Sequence, residues 1–134
     1  MLSASNAPAY GVAMIRSLKF INIPVSDQAR ALAFYTEKLG FKVLTDQPMG
    51  PGLRWIELRI PGAETGVALF TPPGHEDRVG TFLGASFACD DLDETYERFL
   101  REGVECLAPP DKQPWGTSLK IKDSEGNVLH LAGR

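Results

Sequence analysis

Two side chains in this sequence have the right chemistry to pass a proton between them, Glu57 and His130. Imidazole titrates near neutral pH, and a carboxylate can serve as its acid–base partner. Each also has a plainer role: His130 can be satisfied by a neighbouring side chain, and Glu57 can pair with Arg59. Arg59 and Lys120 either hold an anionic group of a ligand, which the planar guanidinium fork suits, or join Lys122 in a solvated strand face. Trp55 and Trp115 offer rigid apolar surfaces for stacking on a planar molecule. Trp115 sits in the proline-bearing segment Gln113-Pro114-Trp115-Gly116-Thr117, suited to a lid over a pocket or to packing at a loop or dimer contact. His75 falls in the charged tract His75-Glu76-Asp77-Arg78, which reads as a solvated linker or a dimer contact. No Gly-rich phosphate loop, nucleophile elbow or zinc-type histidine pair is present.

The elements that must position these groups follow from periodicity. Leu18 to Val25 alternates as a half-buried strand, and Ser26 and Asp27 then offer helix caps. The spacing predicts a helix over Gln28 to Lys38, ended by Gly40. Short strands are expected at Phe41 to Leu44, Arg54 to Ile60 and Gly66 to Thr71, with a loop over 46–52 and a connector over 71–80. The pattern then restarts. A strand over Leu83 to Cys89, caps at Asp90 and Asp91, a helix over Leu92 to Glu102 and Gly103 repeat the opening. Strands at Val104 to Leu107, Ser118 to Lys122 and Val128 to Ala132 complete the second half, with a Pro-rich loop over 108–117.

Strand alternation sorts the side chains into two faces. If Leu18, Ile21, Ile23, Ile56, Leu58, Val67, Leu69, Phe87, Leu119, Leu129 and Leu131 face the helices, their neighbours line a cavity. Those neighbours include Phe20, Asn22, Trp55, Glu57, Arg59, Ala68, Phe70, Gly84, Ser86, Ser118, Lys120, Val128 and His130.

Bulk properties exclude several classes. A chain of 134 residues with 43% hydrophobic and 23% charged residues suits one domain with a proper core. The net charge is −3 and no basic stripe is visible, which argues against nucleic acid as a partner. No apolar run approaches the roughly 20 residues of a membrane span. Cys89 and Cys106 lack metal-type spacing; Cys89 reads as a small core residue, and a disulfide between the two is the alternative. Residues 1–13 read as a disordered leader, with the domain over 14–134 and a cytoplasmic location as the default.

The halves match element for element, with Asp27 answering Asp91 and Gly40 answering Gly103. Ile23-Pro24-Val25-Ser26-Asp27, Ala31-Leu32-Ala33-Phe34-Tyr35 and Leu39-Gly40-Phe41 resemble the first module of the glyoxalase/bleomycin resistance protein/extradiol dioxygenase (vicinal oxygen chelate) superfamily. Asp90-Asp91-Leu92-Asp93 with Gly103-Val104, and the turn Asp123-Ser124-Glu125-Gly126-Asn127, resemble its second module. The resemblance implies an α+β fold of two pseudo-symmetric βαβββ modules, at about 15–72 and 81–132, forming a curved mixed sheet around a cleft. It also implies frequent homodimers and, often, a divalent metal held by one His or Glu from each of four strands.

Carried over residue by residue, those four positions fall at Phe20, Ala68, Gly84 and His130. Only the last can ligate a metal, whereas such sites need three or more donors. No metal ligand and no cofactor is therefore predicted, though Glu57 and His130, with Asn22 or a water, could still share a divalent ion. The expected function is binding of a small organic molecule, and resemblance to the bleomycin-resistance branch implies that it is sequestered. Phe20, Trp55, Phe70 and Trp115 would supply walls, Asn22, Arg59 and Lys120 polar contacts, and Glu57 with His130 the candidate catalytic pair. The alternative is a metal-dependent lyase or isomerase of glyoxalase type with a non-standard site. A third reading is a vestigial pocket on a domain that mainly dimerises.

Overall fold

Aspartates open both helices in the same way. Asp27 and Asp91 hold extended backbone and accept hydrogen bonds from the N–H groups of Arg30 and Glu94, each at 3.0 Å. A cap of this kind satisfies one of the orphan donors at a helix start. The helices are α1 (Gln28–Ala33) and α2 (Leu92–Glu102), and Gly103, at φ +78°, ends α2 in the left-handed conformation. The first helix does not run evenly to Lys38 as its spacing suggests. It widens into a π-helical turn over Phe34–Lys38, where the Thr36 hydroxyl donates to the Leu32 carbonyl at 2.7 Å and competes with the backbone ladder.

The computed structural model describes residues 14–133, so the leader expected over 1–13 lies outside the described residues. Eight strands form two four-stranded sheets. The first contains β1 (Phe20–Ile23), β2 (Lys42–Pro48), β3 (Arg54–Arg59) and β4 (Gly66–Leu69) in the order β1-β4-β3-β2. The second contains β5 (Phe82–Ala88), β6 (Asp111–Gln113), β7 (Gly116–Lys122) and β8 (Val128–Gly133) in the order β5-β8-β7-β6. In each, the first strand pairs parallel to the last and the remaining pairs are antiparallel. The two-module α+β duplication stands as read.

Two strand assignments differ from expectation. Val104 to Leu107 makes only a bridge between Cys106 and Ile121, and the edge strand β6 forms later, inside the expected Pro-rich loop. Pro109 and Pro110 lack the N–H a ladder requires, so pairing lapses and resumes at Asp111. By contrast β2 runs on to Pro48, past a bulge between Val43 and Thr45, because an edge strand tolerates a terminal proline.

The helix-facing set forms the core. Ile23, Ile56, Leu58, Val67, Leu69, Leu119, Leu129 and Leu131 from both sheets join Ala31, Tyr35, Leu92 and Phe99 from both helices in one buried cluster. Leu18 is the exception, 61% exposed, because β1 starts only at Phe20. The modules therefore share a core on their helix sides, and the other face of each sheet turns away from it.

A carboxylate locks this arrangement. Asp123, in the turn between β7 and β8, accepts four hydrogen bonds: from the Tyr35 hydroxyl (2.6 Å) and Asn127 Nδ2 (3.0 Å) on one oxygen, and from the N–H groups of Glu125 (2.8 Å) and Asn127 (2.9 Å) on the other. Asn127 Nδ2 also donates to the Pro24 carbonyl at 2.8 Å, and Asn127 Oδ1 accepts from Gly80 N at 2.7 Å. Glu125 completes the clasp by accepting from the Ser26 hydroxyl and from Asp27 N. Among the described residues no helix is long and apolar enough to cross a membrane.

Burial, the Asp123 charge with its hydrogen bond, and the nearby Glu125 push the Tyr35 phenol well above its ordinary value. The folded state thus prefers neutral Tyr35. Its contribution is complete below the ordinary phenol pKa of about 10 and is lost as pH rises beyond that towards the folded value. Tyr35→Phe should cost about 1–3 kcal/mol in urea unfolding at pH 7, and its stability should fall less steeply above pH 10 than that of the parent. An equal alkaline slope in both proteins would contradict the assignment. A second substitution probes the sheet: at Gly66 an added Cβ would collide with the Leu58 carbonyl oxygen. Gly66→Ala should lower stability by about 1–3 kcal/mol, read from the denaturant midpoint.

Candidate functional site

The outward face of the first sheet is built by alternation along β3, which places Trp55, Glu57 and Arg59 on one side. Register sets Glu57 opposite Ala68, and Ala68 opposite Asn22. Phe20 and Phe70 flank Trp55. The Phe20 and Trp55 ring centroids lie 5.5 Å apart at 67°, and those of Trp55 and Phe70 lie 5.6 Å apart at 60°. Tilted and edge-to-face pairs of this kind add about 0.5–1.5 kcal/mol each beyond area burial. All three rings keep part of their surface open. Together they form an aromatic wall assembled from β1, β3 and the residue just beyond β4, which lie far apart in sequence.

Glu57 lies within that wall. Its side chain belongs to a residue only 7% exposed, and among the described residues its carboxylate forms no hydrogen bond or ion pair. The expected pairing with Arg59 is not formed; Arg59 is exposed. Its oxygens keep contact with the open side of the sheet, since among the described residues the buried side-chain polar atom left without a partner is Ser124 Oγ.

At one end of the wall a cavity of about 110 Å³ is lined by Asn22, Pro24, Phe70, Pro72, His75 and Arg78. His75 and Arg78 come from the connector, which sequence reasoning set aside as a linker or dimer contact. The missed signal is Thr71: its hydroxyl exchanges hydrogen bonds with Val25 N (2.7 Å) and Val25 O (2.9 Å), so the connector starts pinned beside β1.

The outward face of the second sheet is polar. Register places His130 between Ser86 of β5 and Lys120 of β7, with Ser118 opposite Ala132 and Val128 opposite Phe82 and Lys122. His130 Nδ1 and Ser86 Oγ share a 2.6 Å hydrogen bond whose direction follows the imidazole tautomer. Trp115 caps the β6–β7 hairpin, 85% exposed, at the rim of a cavity of about 280 Å³ that Ser118 and His130 also line. That cavity shares no residue with the one on the first sheet. Glu57 and His130 thus lie on different sheets, on faces that a single chain does not bring together.

The side chains do not fit the four-ligand metal site of the resemblance. Phe20 and Ala68 carry no donor atom. Gly84 sits at φ +82° in the irregular stretch of β5 between Phe82 and Ser86, a backbone that a ligating side chain would strain. Among the described residues no three His, Cys, Asp or Glu side chains cluster as a metal site would need. Cys89 and Cys106 are free thiols, not a disulfide.

Comparison with known proteins agrees with this geometry. The Bacillus subtilis (strain 168) protein named "Uncharacterized protein YetH" is 36% identical over 118 residues, covering 88% of this chain and 98% of that protein. A crystal structure of a superfamily member from Sphaerobacter thermophilus DSM 20745 superposes with a TM-score of 0.82 at 34% identity, covering 91% of this chain and 100% of the other. TnmS3, an antibiotic binding protein from Streptomyces sp. CB03234, gives a TM-score of 0.79 at 32% identity over 91% of this chain and 98% of its own. With residues 17–131 matching the family as a whole, the chain belongs to the Glyoxalase/Bleomycin resistance protein/Dioxygenase superfamily.

Proposed function

We propose that this chain binds a small planar organic molecule against the Phe20–Trp55–Phe70 wall, as half of a homodimer and without a metal. The observation that carries the reading is the aromatic trio left partly open beside a partnerless carboxylate. Covering such a wall with a flat ligand is worth about 25 cal/mol per Å² of apolar area removed from water. Each sheet face in one chain is open, and the two differ in character. A two-fold axis that sets the first sheet of one copy against the second sheet of another would close two equivalent pockets. Each would have an aromatic wall and a facing polar wall that holds His130, Lys120 and Ser86, with Trp115 at its rim. The similarity to an antibiotic binding protein supports the ligand class. The donor-free side chains at Phe20, Ala68 and Gly84 support the absence of a resident ion. We place the protein in the cytoplasm, where the unpaired Cys89 and Cys106 would stay reduced.

A second reading is favoured by Glu57 itself. The Glu57 carboxylate of one copy facing His130 of another would make an acid–base pair, which a lyase or isomerase reaction would use. Metal content separates the readings at the outset. Protein purified without added metal should contain far less than one ion per chain, and should sediment at twice the 14.6 kDa chain mass. One ion per chain, lost in His130→Ala, would establish the metal-dependent enzyme instead.

The binding claim has its own test. In a thermal-shift screen of planar aromatic compounds, a true ligand at 100 times its Kd stabilises by about 2.7 kcal/mol. Trp55→Ala should weaken such a ligand by about thirtyfold or more, the loss typical of a central aromatic anchor. A ligand that binds Trp55→Ala as tightly as the parent would falsify the aromatic-wall assignment.

A further inference from the structure

The cavity at the end of the aromatic wall has a chemistry of its own, and it narrows the ligand class. Three polar side chains from two segments converge there, Asn22 from β1 and His75 and Arg78 from the connector, around the apolar Phe70, Pro24 and Pro72. Among the described residues the Arg78 guanidinium makes no ion pair or hydrogen bond, and neither do the Asn22 amide and the His75 ring. The nearby acids do not neutralise Arg78, and among the described residues Asp77 forms no ion pair. Glu76 turns its carboxylate to Gly74 N, at 3.0 and 3.3 Å for its two oxygens.

The connector is also held in place. Thr71 ties its start to Val25, a short helical turn spans Glu76–Arg78, the Thr81 hydroxyl donates to the Arg78 carbonyl, and Gly80 N donates to Asn127. Side chains carried on a pinned segment lose less freedom when they bind, so their bonds contribute more to affinity.

Size decides what enters. About 110 Å³ is well below the roughly 300–1,000 Å³ of a pocket that encloses a whole drug-sized ligand. It is room for one substituent of a molecule whose ring plane lies on Trp55 and Phe70. With a free guanidinium, an imidazole and an amide around it, that substituent is an acceptor and an anion, to which an arginine fork can donate two parallel bonds.

We propose that Asn22, His75 and Arg78 form an anion anchor, so that the ligand is a planar aromatic molecule carrying a carboxylate or a similar anionic group. This rests on the aromatic-wall reading above, and the test separates the two. The probes are 2-naphthoate and its neutral isostere, naphthalene-2-carboxamide, titrated into the full chain by calorimetry. In a Trp115→Phe background the one remaining indole N–H, from Trp55, reports contact with the wall by NMR. The expected result is that 2-naphthoate shifts the Trp55 resonance and binds roughly 10- to 100-fold tighter than the amide. Arg78→Gln, a change at an exposed side chain without partners, should erase that preference by weakening the naphthoate far more than the amide, and Arg78→Lys should restore only part of it. If acid and amide bind equally and Arg78→Gln changes nothing, the anchor is overturned and the wall survives. If neither probe moves the Trp55 resonance, the wall and the anchor are both overturned.

Discussion

The fold turns on one buried carboxylate. Asp123 accepts four hydrogen bonds, and the group it binds from the other module, the Tyr35 hydroxyl, lies 88 residues away in sequence. A buried ion is costly unless its lone pairs are filled, and charge-assisted donors are the ones that offset the cost. Two of the donors are backbone N–H groups of the turn itself, and the two side-chain donors also tie segments together. Tyr35 brings the first helix, and Asn127 brings the end of β1 through Pro24 and the connector through Gly80. Once the second module's turn is docked on the first module's helix, the helix sides of both sheets must bury each other. The opposite faces then have nowhere to point but outward, and the position of the candidate site follows from that.

The duplication has diverged along those outward faces. In the first module β1, β3 and β4 present Phe20, Trp55 and Ala68, with Phe70 just beyond β4. At the matching places the second module presents Gly84, Ser118 and His130, with Ala132 where Phe70 stands and Lys120 where Glu57 stands. One copy of the unit has become a stacking surface and the other a hydrogen-bonding surface. Neither face encloses a ligand by itself. Two unlike walls are what a pocket between two copies would combine, whereas two like walls would meet as a featureless apolar slot or a hydrated polar gap.

Most of this face assignment was legible in the sequence, because strand alternation is a local property. It placed Phe20, Trp55, Phe70 and Glu57 on one side and the core leucines and isoleucines on the other, and it failed at Leu18 only because the strand begins later. The helix caps at Asp27 and Asp91 were local too. What escaped was set by distant partners or by backbone competition. The turn Asp123 to Asn127 was visible as a motif, but not that its carboxylate would find Tyr35. Thr36 gives no sign that it widens its helix, and the prolines that interrupt the sheet read as loop, with no hint that pairing resumes at Asp111. For the connector, charge and proline content describe a solvated linker, which its exposed tract fits, but they do not say that Thr71 and Gly80 fix its ends.

Side chains without donor atoms at Phe20, Ala68 and Gly84 change what recognition has to rely on. Where a metal is present, a large share of affinity and nearly all orientation come from the ion. An aromatic wall supplies area, and area is nondirectional: it holds many flat molecules about equally well. Glu57 adds an acceptor to this face, and the Asn22 amide and the Trp55 indole N–H add donors. The connector brings His75 and Arg78 to its edge, where they and Asn22 line one cavity. Because the Asp123 clasp reaches the connector through Asn127 and Gly80, the residues that hold the modules together also fix the position from which a ligand's polar group would be read.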